Sequence, residues 1–278
     1  MTHTIDIDGR RAAIWEYGKK NQPDIWLIHG FRGTHSGLAD IARNLPEFHR
    51  LIPDLPAFGQ SQPLPNSQIH SAENYAKWLI RAVEKIGGAP VILFGHSFGS
   101  IIASIVAATR PDLVSWLVLA APIAQPSRRH FNSKISDLYF KLGQILPKNA
   151  GEKWLRVRFA TDIMSFGSIK TKNRRLRREI YARHRTHFSD FYSRQTVLET
   201  YRSASRDAIW PLADQIHTPT LIISGDKDRI APFKEAEALA RQIPGAEFCA
   251  LNGVGHILQH EAPAAVAALI KNFCQPEF

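Results

Sequence analysis

The stretch Val91-Ile-Leu-Phe-Gly95-His-Ser97-Phe-Gly99-Ser100-Ile-Ile-Ala-Ser104 decides the fold. Four apolar, mostly branched residues run into Gly-x-Ser-x-Gly, and a small-residue apolar segment follows. A strand covered on both faces is apolar throughout instead of alternating, so the run from Val91 reads as a buried strand. Phe98 to Thr109 reads as a helix, whose glycines and alanines let it lie close against a sheet. Ser97 then falls on the sharp turn between them, with its hydroxyl at the helix N-terminus. Gly95 and Gly99 meet a steric need, because a Cβ at either position would collide with the neighbouring element.

Working outward, the same alternation recurs on both sides. Residues 3–8 and 12–17 read as two short strands, and Asp8-Gly9 between them is a hairpin signal. Asp24-Ile-Trp-Leu-Ile-His29-Gly30 is a buried strand ending in His-Gly. Ser36 to Asn44 reads as a short helix, and His49 to Asp54 as a strand leading into the turn-rich loop Asp54–Ser61. Ser71 to Ile86 is helical, with Tyr75, Trp78, Leu79, Ala82, Val83 and Ile86 on a 3.6-residue period. Val114 to Pro122 is a further buried strand. Strand and helix in alternation predict a parallel sheet with helices on both faces.

At residue 123 the alternation stops. No strand is expected before Pro219, and residues 131–146, 147–159, 170–188 and 189–206 all read as helical. Tyr181, His184, Phe188, Phe191 and Tyr192 are candidates for the inner face of this insertion. Charge marks it as well. The chain of 278 residues carries a net +10, and residues 123–210 hold 19 Lys and Arg against 7 Asp and Glu, leaving the remainder slightly acidic. The sheet pattern resumes with Thr218–Gly225, a helix over Pro232–Gln242, a strand over Ala246–Leu251 and a terminal helix from Glu261 to Phe273. The organisation expected is a body of residues 1–122 and 211–278 with a basic helical insertion over 123–210.

Composition narrows the classes. A chain 44% hydrophobic and 22% charged is ordinary for a globular protein. Cys249 and Cys274 form neither a disulfide framework nor a metal-ligand spacing, which suggests a reducing compartment. Met1 to Arg10 has no apolar stretch of the kind a signal peptide carries, and no apolar run is long enough to span a membrane. A cytoplasmic location is the expectation.

Two further loops complete a pattern. Ser224-Gly225-Asp226-Lys227-Asp228-Arg-Ile-Ala-Pro232 ends one strand, and Gly253-Val-Gly255-His256 follows the last. A serine hydroxyl is a weak nucleophile at neutral pH and needs a base, which itself needs an orienting partner. With Ser97, these loops give the order serine, acid, histidine. Over essentially the whole chain this resembles the α/β-hydrolase fold family in its serine-nucleophile, capped, esterase- and lipase-like form, with Gly95–Gly99 as its nucleophile elbow.

The resemblance implies a mostly parallel eight-stranded sheet flanked by helices, with an all-helical cap inserted after strand 6. It implies Ser97 as nucleophile, His256 as base and Asp228 as the acid, Asp226 being the alternative in the same loop. It places the oxyanion donors at the backbone N–H groups of Phe31 and Phe98, whose side chains would wall the acyl pocket. His29 would shape the oxyanion loop and His96 would pack beneath the elbow, neither reacting. Asp54–Ser61 would support the site. His184, His187, His217 and His260 are expected at the surface or at caps.

The activity implied is hydrolysis of an ester-type bond in a small molecule, through an acyl-enzyme and with no metal or organic cofactor. The alternatives are a carbon–carbon bond hydrolase, disfavoured because Ile257 stands where such enzymes often carry Trp, and a lactonase. Ser97 in place of Asp argues against dehalogenase or epoxide hydrolase chemistry. A different class is a binding module whose basic run Lys170-Thr-Lys-Asn-Arg174-Arg175-Leu-Arg177-Arg178 meets an anionic surface, although such runs are usually solvated helix faces. Nucleic acid is not an expected partner. Inward-facing arginines of the insertion would suit an anionic ester.

Overall fold

The computed structural model describes residues 2–126, 133–157, 162 and 165–274. Its centre is one eight-stranded sheet of order β1-β2-β4-β3-β5-β6-β7-β8. The strands are β1 (Thr2–Ile7), β2 (Arg10–Tyr17), β3 (Asp24–Ile28), β4 (His49–Pro53), β5 (Val91–His96), β6 (Val114–Ala120), β7 (Thr220–Gly225) and β8 (Glu247–Leu251). β1 and β2 form an antiparallel hairpin, and β2 pairs antiparallel with β4. Asp8 and Gly9 both take positive φ at the hairpin turn, the backbone such two-residue turns require. Every other pairing is parallel. The α/β-hydrolase architecture expected from the sequence is therefore present.

Side chains alternate across the sheet and feed two apolar layers. Leu93 of β5 and Trp26 and Ile28 of β3 point to one layer, where α2 (Ala72–Ile86), α3 (Phe98–Thr109) and a late helix over Phe233–Gln242 pack. Ile92, Phe94, Ile25 and Leu27 point to the other, covered by α1 (His35–Arg43) and the terminal helix Pro263–Phe273. Burial on both faces is the reason the central strands are mostly apolar. Ser71 caps α2, its Oγ accepting from the Asn74 amide at 3.3 Å.

Between β6 and β7 the described residues form helices α4 (Ser133–Ile145), α5 (Lys148–Leu155), α6 (Arg174–His187) and α7 (Arg194–Arg206), plus a helical turn at 165–168. α8 (Phe233–Gln242), the short α9 (Leu258–Glu261) and α10 (Pro263–Phe273) follow. The helical excursion is tied together by aromatic and polar contacts. Phe140 stacks on Tyr201 at 3.7 Å between ring centroids, and the Tyr139 hydroxyl donates to the Leu155 carbonyl at 2.7 Å.

Local chemistry explains where element boundaries differ from the sequence expectation. α6 starts at Arg174 because the Asn173 side chain accepts from the amides of Arg175 and Leu176. α7 starts at Arg194 because Ser193 and Thr196 form a reciprocal capping box. The terminal helix expected from Glu261 is two helices, since Ala262 leaves helical geometry before Pro263 restarts it. Of the five residues expected on an inner face, His184 and Phe191 are buried, but Tyr192 is 64% exposed.

Candidate active site

Strand β5 delivers Ser97 to the turn before α3. Its backbone is at φ 53° and ψ −120°, a left-handed conformation that a non-glycine residue holds only when its surroundings impose it. Those surroundings are tight. A Cβ on Gly95 would lie 2.4 Å from the Gly99 carbonyl oxygen, and one on Gly99 would lie 2.4 Å from that of Ile28. The two glycines let β5, α3 and β3 approach to backbone contact, and the turn points the Ser97 side chain out of the sheet.

Two loops from the far end of the chain meet it there. The Ser97 hydroxyl donates to His256 Nε2 at 2.8 Å, and His256 Nδ1 donates to Asp228 Oδ2, also at 2.8 Å. A carboxylate only accepts, so this contact sets the tautomer that leaves Nε2 free to receive a proton. Asp228 is buried and fixed through its other oxygen, which accepts from the amides of Ile230 (2.8 Å) and Ala231 (3.0 Å). Asp226 lies elsewhere: its Oδ1 accepts from the Gly253 amide at 2.6 Å and its carboxylate pairs with Lys227, the contacts of a turn residue.

Phe31 and Phe98 flank the same point. Gly30 brings the β3–α1 loop so close that a Cβ there would lie 3.1 Å from Ser97 Cβ. Phe98 is the first residue of α3, where amide groups have no intrahelical acceptor. Among the described residues neither the Phe31 nor the Phe98 amide meets an acceptor. Both side chains line the cavity above Ser97.

The supporting histidines divide their work. His29 Nε2 accepts from the Leu55 amide at 3.0 Å, so Nδ1 carries the proton and donates to the Gly30 carbonyl at 2.8 Å. The ring thus ties the β3–α1 loop to the loop after β4, and its burial pulls its pKa down. His96 is also buried, and Nε2 donates to the His256 carbonyl at 3.0 Å. Burial, reinforced by the nearby His256, lowers its pKa to about 3. Asp54 braces the second loop, accepting from the His35 and Gln60 amides at 2.8 and 3.0 Å. Its burial raises the pKa, but these bonds and the His35 ring outweigh that and the net direction is down.

The cavity holds about 570 Å³ and has two unlike ends. One is aromatic: Phe31 contacts Phe140 and Tyr201 at 5.7 and 5.9 Å between centroids. The other, beside His256, carries Lys170, Arg183, His184, Gln259 and His260. His184 and His260 correct the sequence expectation, being 5% exposed cavity-wall residues. His184 bonds Ser165 Oγ at 2.7 Å, and burial together with Arg183 lowers the His260 pKa to about 4. His217 is exposed as expected, and the His187 side chain lies outside the described residues. Of the basic run, Arg174, Arg175 and Arg178 are exposed on α6, with Arg175 paired to Glu179.

Sequence reasoning passed over two residues. Glu261 accepts from the amides of Gly255, Lys170 and Thr171, so one carboxylate joins the His256 loop to the helical excursion. Arg32 is 1% exposed and at positive φ. It donates from Nε to the Phe188 carbonyl at 2.6 Å and from Nη2 to that of Leu155 at 3.1 Å. A charged residue beside the His-Gly of the β3–α1 loop was the available signal for Arg32. Glu261 gave none, because its three partners are distant in sequence or bind by main chain.

Among the described residues no group of His, Cys, Asp and Glu could hold a metal ion, and no helix is long and apolar enough to cross a membrane.

Comparison with known proteins agrees with this fold. The family profile described as alpha/beta hydrolase fold matches residues 25–263. The monoacylglycerol lipase abhd6-B of Xenopus laevis is 28% identical over 264 residues, covering 91% of this chain and 75% of its own. A thermophilic esterase structure from Thermogutta terrifontis superposes with a TM-score of 0.79 at 23% identity, over 98% of this chain and 97% of the other. An enol-lactonase from Burkholderia xenovorans LB400 gives 0.80 at 19%, over 99% and 100%. At these identities the two structures speak to the fold.

Proposed function

The chain belongs to the α/β-hydrolase fold family, and from that premise we propose that it is a serine hydrolase cleaving an acyl ester of a small molecule. The observation that carries the reading is the pair of 2.8 Å hydrogen bonds running from Ser97 through His256 to Asp228. Ser97 Oγ attacks the acyl carbonyl while His256 Nε2 takes the hydroxyl proton. Asp228 holds the imidazole in place and stabilises its cationic form. The Phe31 and Phe98 amides donate to the developing oxyanion, aided by the positive end of the α3 dipole. His256 returns the proton to the leaving alcohol, and water, deprotonated by the same ring, releases the acid from Ser97.

The helices between β6 and β7 act as a cap, and the aromatic end of the cavity takes the acyl chain. A lipase among the relatives is in keeping with such a substrate. A lactone is a cyclic ester and would pass through the same steps. Ser97→Ala tests the reading: it should abolish hydrolysis of short p-nitrophenyl esters and labelling by a fluorophosphonate while leaving the thermal unfolding midpoint close to that of the parent. Undiminished turnover would overturn it.

A further inference from the structure

The cavity is electrostatically one-sided. Arg32, Lys170, Arg183 and Arg229 all line it, and among the described residues no Asp or Glu does. Arg183 alone is charge-matched, pairing with Asp40 outside the cavity wall. Arg32, though held by the Phe188 and Leu155 carbonyls, keeps a buried Nη1 without a hydrogen-bond partner among the described residues. Lys170 and Arg229 differ from both: neither is buried and, among the described residues, neither has a carboxylate within salt-bridge distance. Glu261, the acid beside Lys170, has its oxygens occupied by the amides of Gly255, Lys170 and Thr171. Asp228, beside Arg229, has one oxygen on His256 and the other on the Ile230 and Ala231 amides.

Position relative to His256 says which part of a substrate would meet them. A Cβ on Gly255 would lie 2.6 Å from Lys170 Cγ, so the lysine stem runs along the residue before His256. Arg229 follows Asp228 in the loop that holds the His256 ring. In an acyl transfer the imidazole must protonate the leaving oxygen, so the leaving alcohol lies on the His256 side and the acyl chain on the other. The acyl side is the aromatic one, around Phe31, Phe140 and Tyr201. The wall on the alcohol side is polar: among the described residues the buried Gln259 Oε1 and His260 Nδ1 have no hydrogen-bond partner, Asp40 Oδ2 standing 3.9 Å from the latter.

We propose that the alcohol half of the substrate bears an anionic group, a carboxylate or phosphate, which Lys170 and Arg229 receive beside His256. The inference rests on the serine-hydrolase reading and deepens it to a class: an apolar acyl ester of an anionic alcohol. Unlike charges attract more strongly at a half-buried position such as Lys170 than at an open surface, and the neighbouring carboxylates of Glu261 and Asp228 are already engaged by amides and His256. A cationic alcohol such as choline meets the opposite field.

The test compares kcat/KM for hexanoyl esters of four alcohols: glycerol, choline, glycolate and glycerol 3-phosphate. The expected order places both anionic esters, or the one whose anion fits, about tenfold or more above the glycerol ester, with choline lowest; a tenfold ratio is the scale of a single modest charge contact. Raising the ionic strength should shrink the ratio. The double variant Lys170→Gln/Arg229→Gln should bring the anion-to-glycerol ratio to about one, and Lys170→Arg should keep it. Glycolate against glycerol 3-phosphate distinguishes carboxylate from phosphate. Equal rates for the glycerol and anionic esters, or a preference that survives the double variant, overturns this inference and leaves the hydrolase reading standing. Failure to cleave every ester, together with no fluorophosphonate labelling of Ser97, overturns both.

Discussion

The His96 ring donates to the main-chain carbonyl of His256 at 3.0 Å, so the residue before Ser97 holds the backbone of the residue whose ring bonds the Ser97 hydroxyl. Because burial keeps His96 neutral down to about pH 3, this link is a hydrogen bond between neutral groups at any working pH. His96→Phe should fill the space and lose the bond. Small misplacements of a reacting group cost up to about a hundredfold in rate, so ester turnover should fall by about 10- to 100-fold, chiefly in kcat. The rate of fluorophosphonate labelling should fall with it. A variant with parental kcat would show that the His256 loop is held by other means.

Asp228 and Asp226 share one loop but have different partners, and conservative variants should separate them. Asp228→Asn presents an amide to His256 Nδ1 and can leave the ring in the wrong tautomer. Losses of about 10³-fold or more are expected from such a change. Asp226→Asn keeps the acceptor for the Gly253 amide and should stay within about twofold. Steady-state kinetics on one p-nitrophenyl ester checks both.

Stability should fall as the medium is acidified, beginning well above the carboxylate range. His96 and His260 have folded-state pKa values lowered to about 3 and about 4, against 6.5 for an unhindered histidine. Below 6.5 the unfolded chain takes protons that the folded chain refuses, so the neutral-ring contribution is complete above about pH 6.5 and declines toward pH 4. At 1.36 kcal/mol per pH unit per group, the two together lose about 4 kcal/mol by pH 5. Denaturant midpoints from pH 7.5 to 5 measure this, and His260→Gln should flatten the slope.

Glu261 gathers amides from two segments distant in sequence, which also touch through Lys170 and Gly255 and through Ile169 and Ile257. Glu261→Ala leaves the Gly255, Lys170 and Thr171 amides without their acceptor and should destabilise by about 2 kcal/mol, moderated because water can reach part of the site. The diagnostic readout is hydrogen exchange, with protection falling in residues 168–171 and 253–256 together. Unchanged exchange in either segment would count against the bridge.

Gly99→Ala should be among the most damaging single methyl additions. The new Cβ would meet main-chain oxygens of Ile28 and His29 at 2.4 and 2.7 Å, neither of which can move without disturbing β3. A loss of more than about 3 kcal/mol, or failure to accumulate as folded protein, is expected. Gly37→Ala, where nothing lies within 4 Å, is the matched control.

The sheet was legible in the sequence because double burial leaves a continuous apolar signature, as at Val91–Phe94 and Leu221–Ile223. Helix α3 was legible to the residue, bounded by Ser97 before it and Arg110-Pro111 after. The meeting of Ser97, Asp228 and His256 could be anticipated because each ends a strand on the same edge of one sheet. What could not be read lies between β6 and β7. There the partners are set by packing between helices, so His184 looked like a surface residue and proves to wall the cavity, as does His260 of α9, which faces it from after β8. Capping by Asn173 and Ser193 moved two helix starts inward by a few residues, and only the hydrogen bonds reveal which polar residue wins the cap.

Arg32 carries a wider consequence. Its guanidinium is fastened to carbonyls on two separate parts of the helical excursion, and its backbone belongs to the same short loop as the Phe31 amide. Any swing that widens the entrance must therefore pull on that loop or break those bonds. Admission of a molecule and readiness to transform it become one mechanical event. Mutations that ease entry by loosening α5 or the Phe188 region should register as slower chemistry, and the two properties will resist being tuned apart.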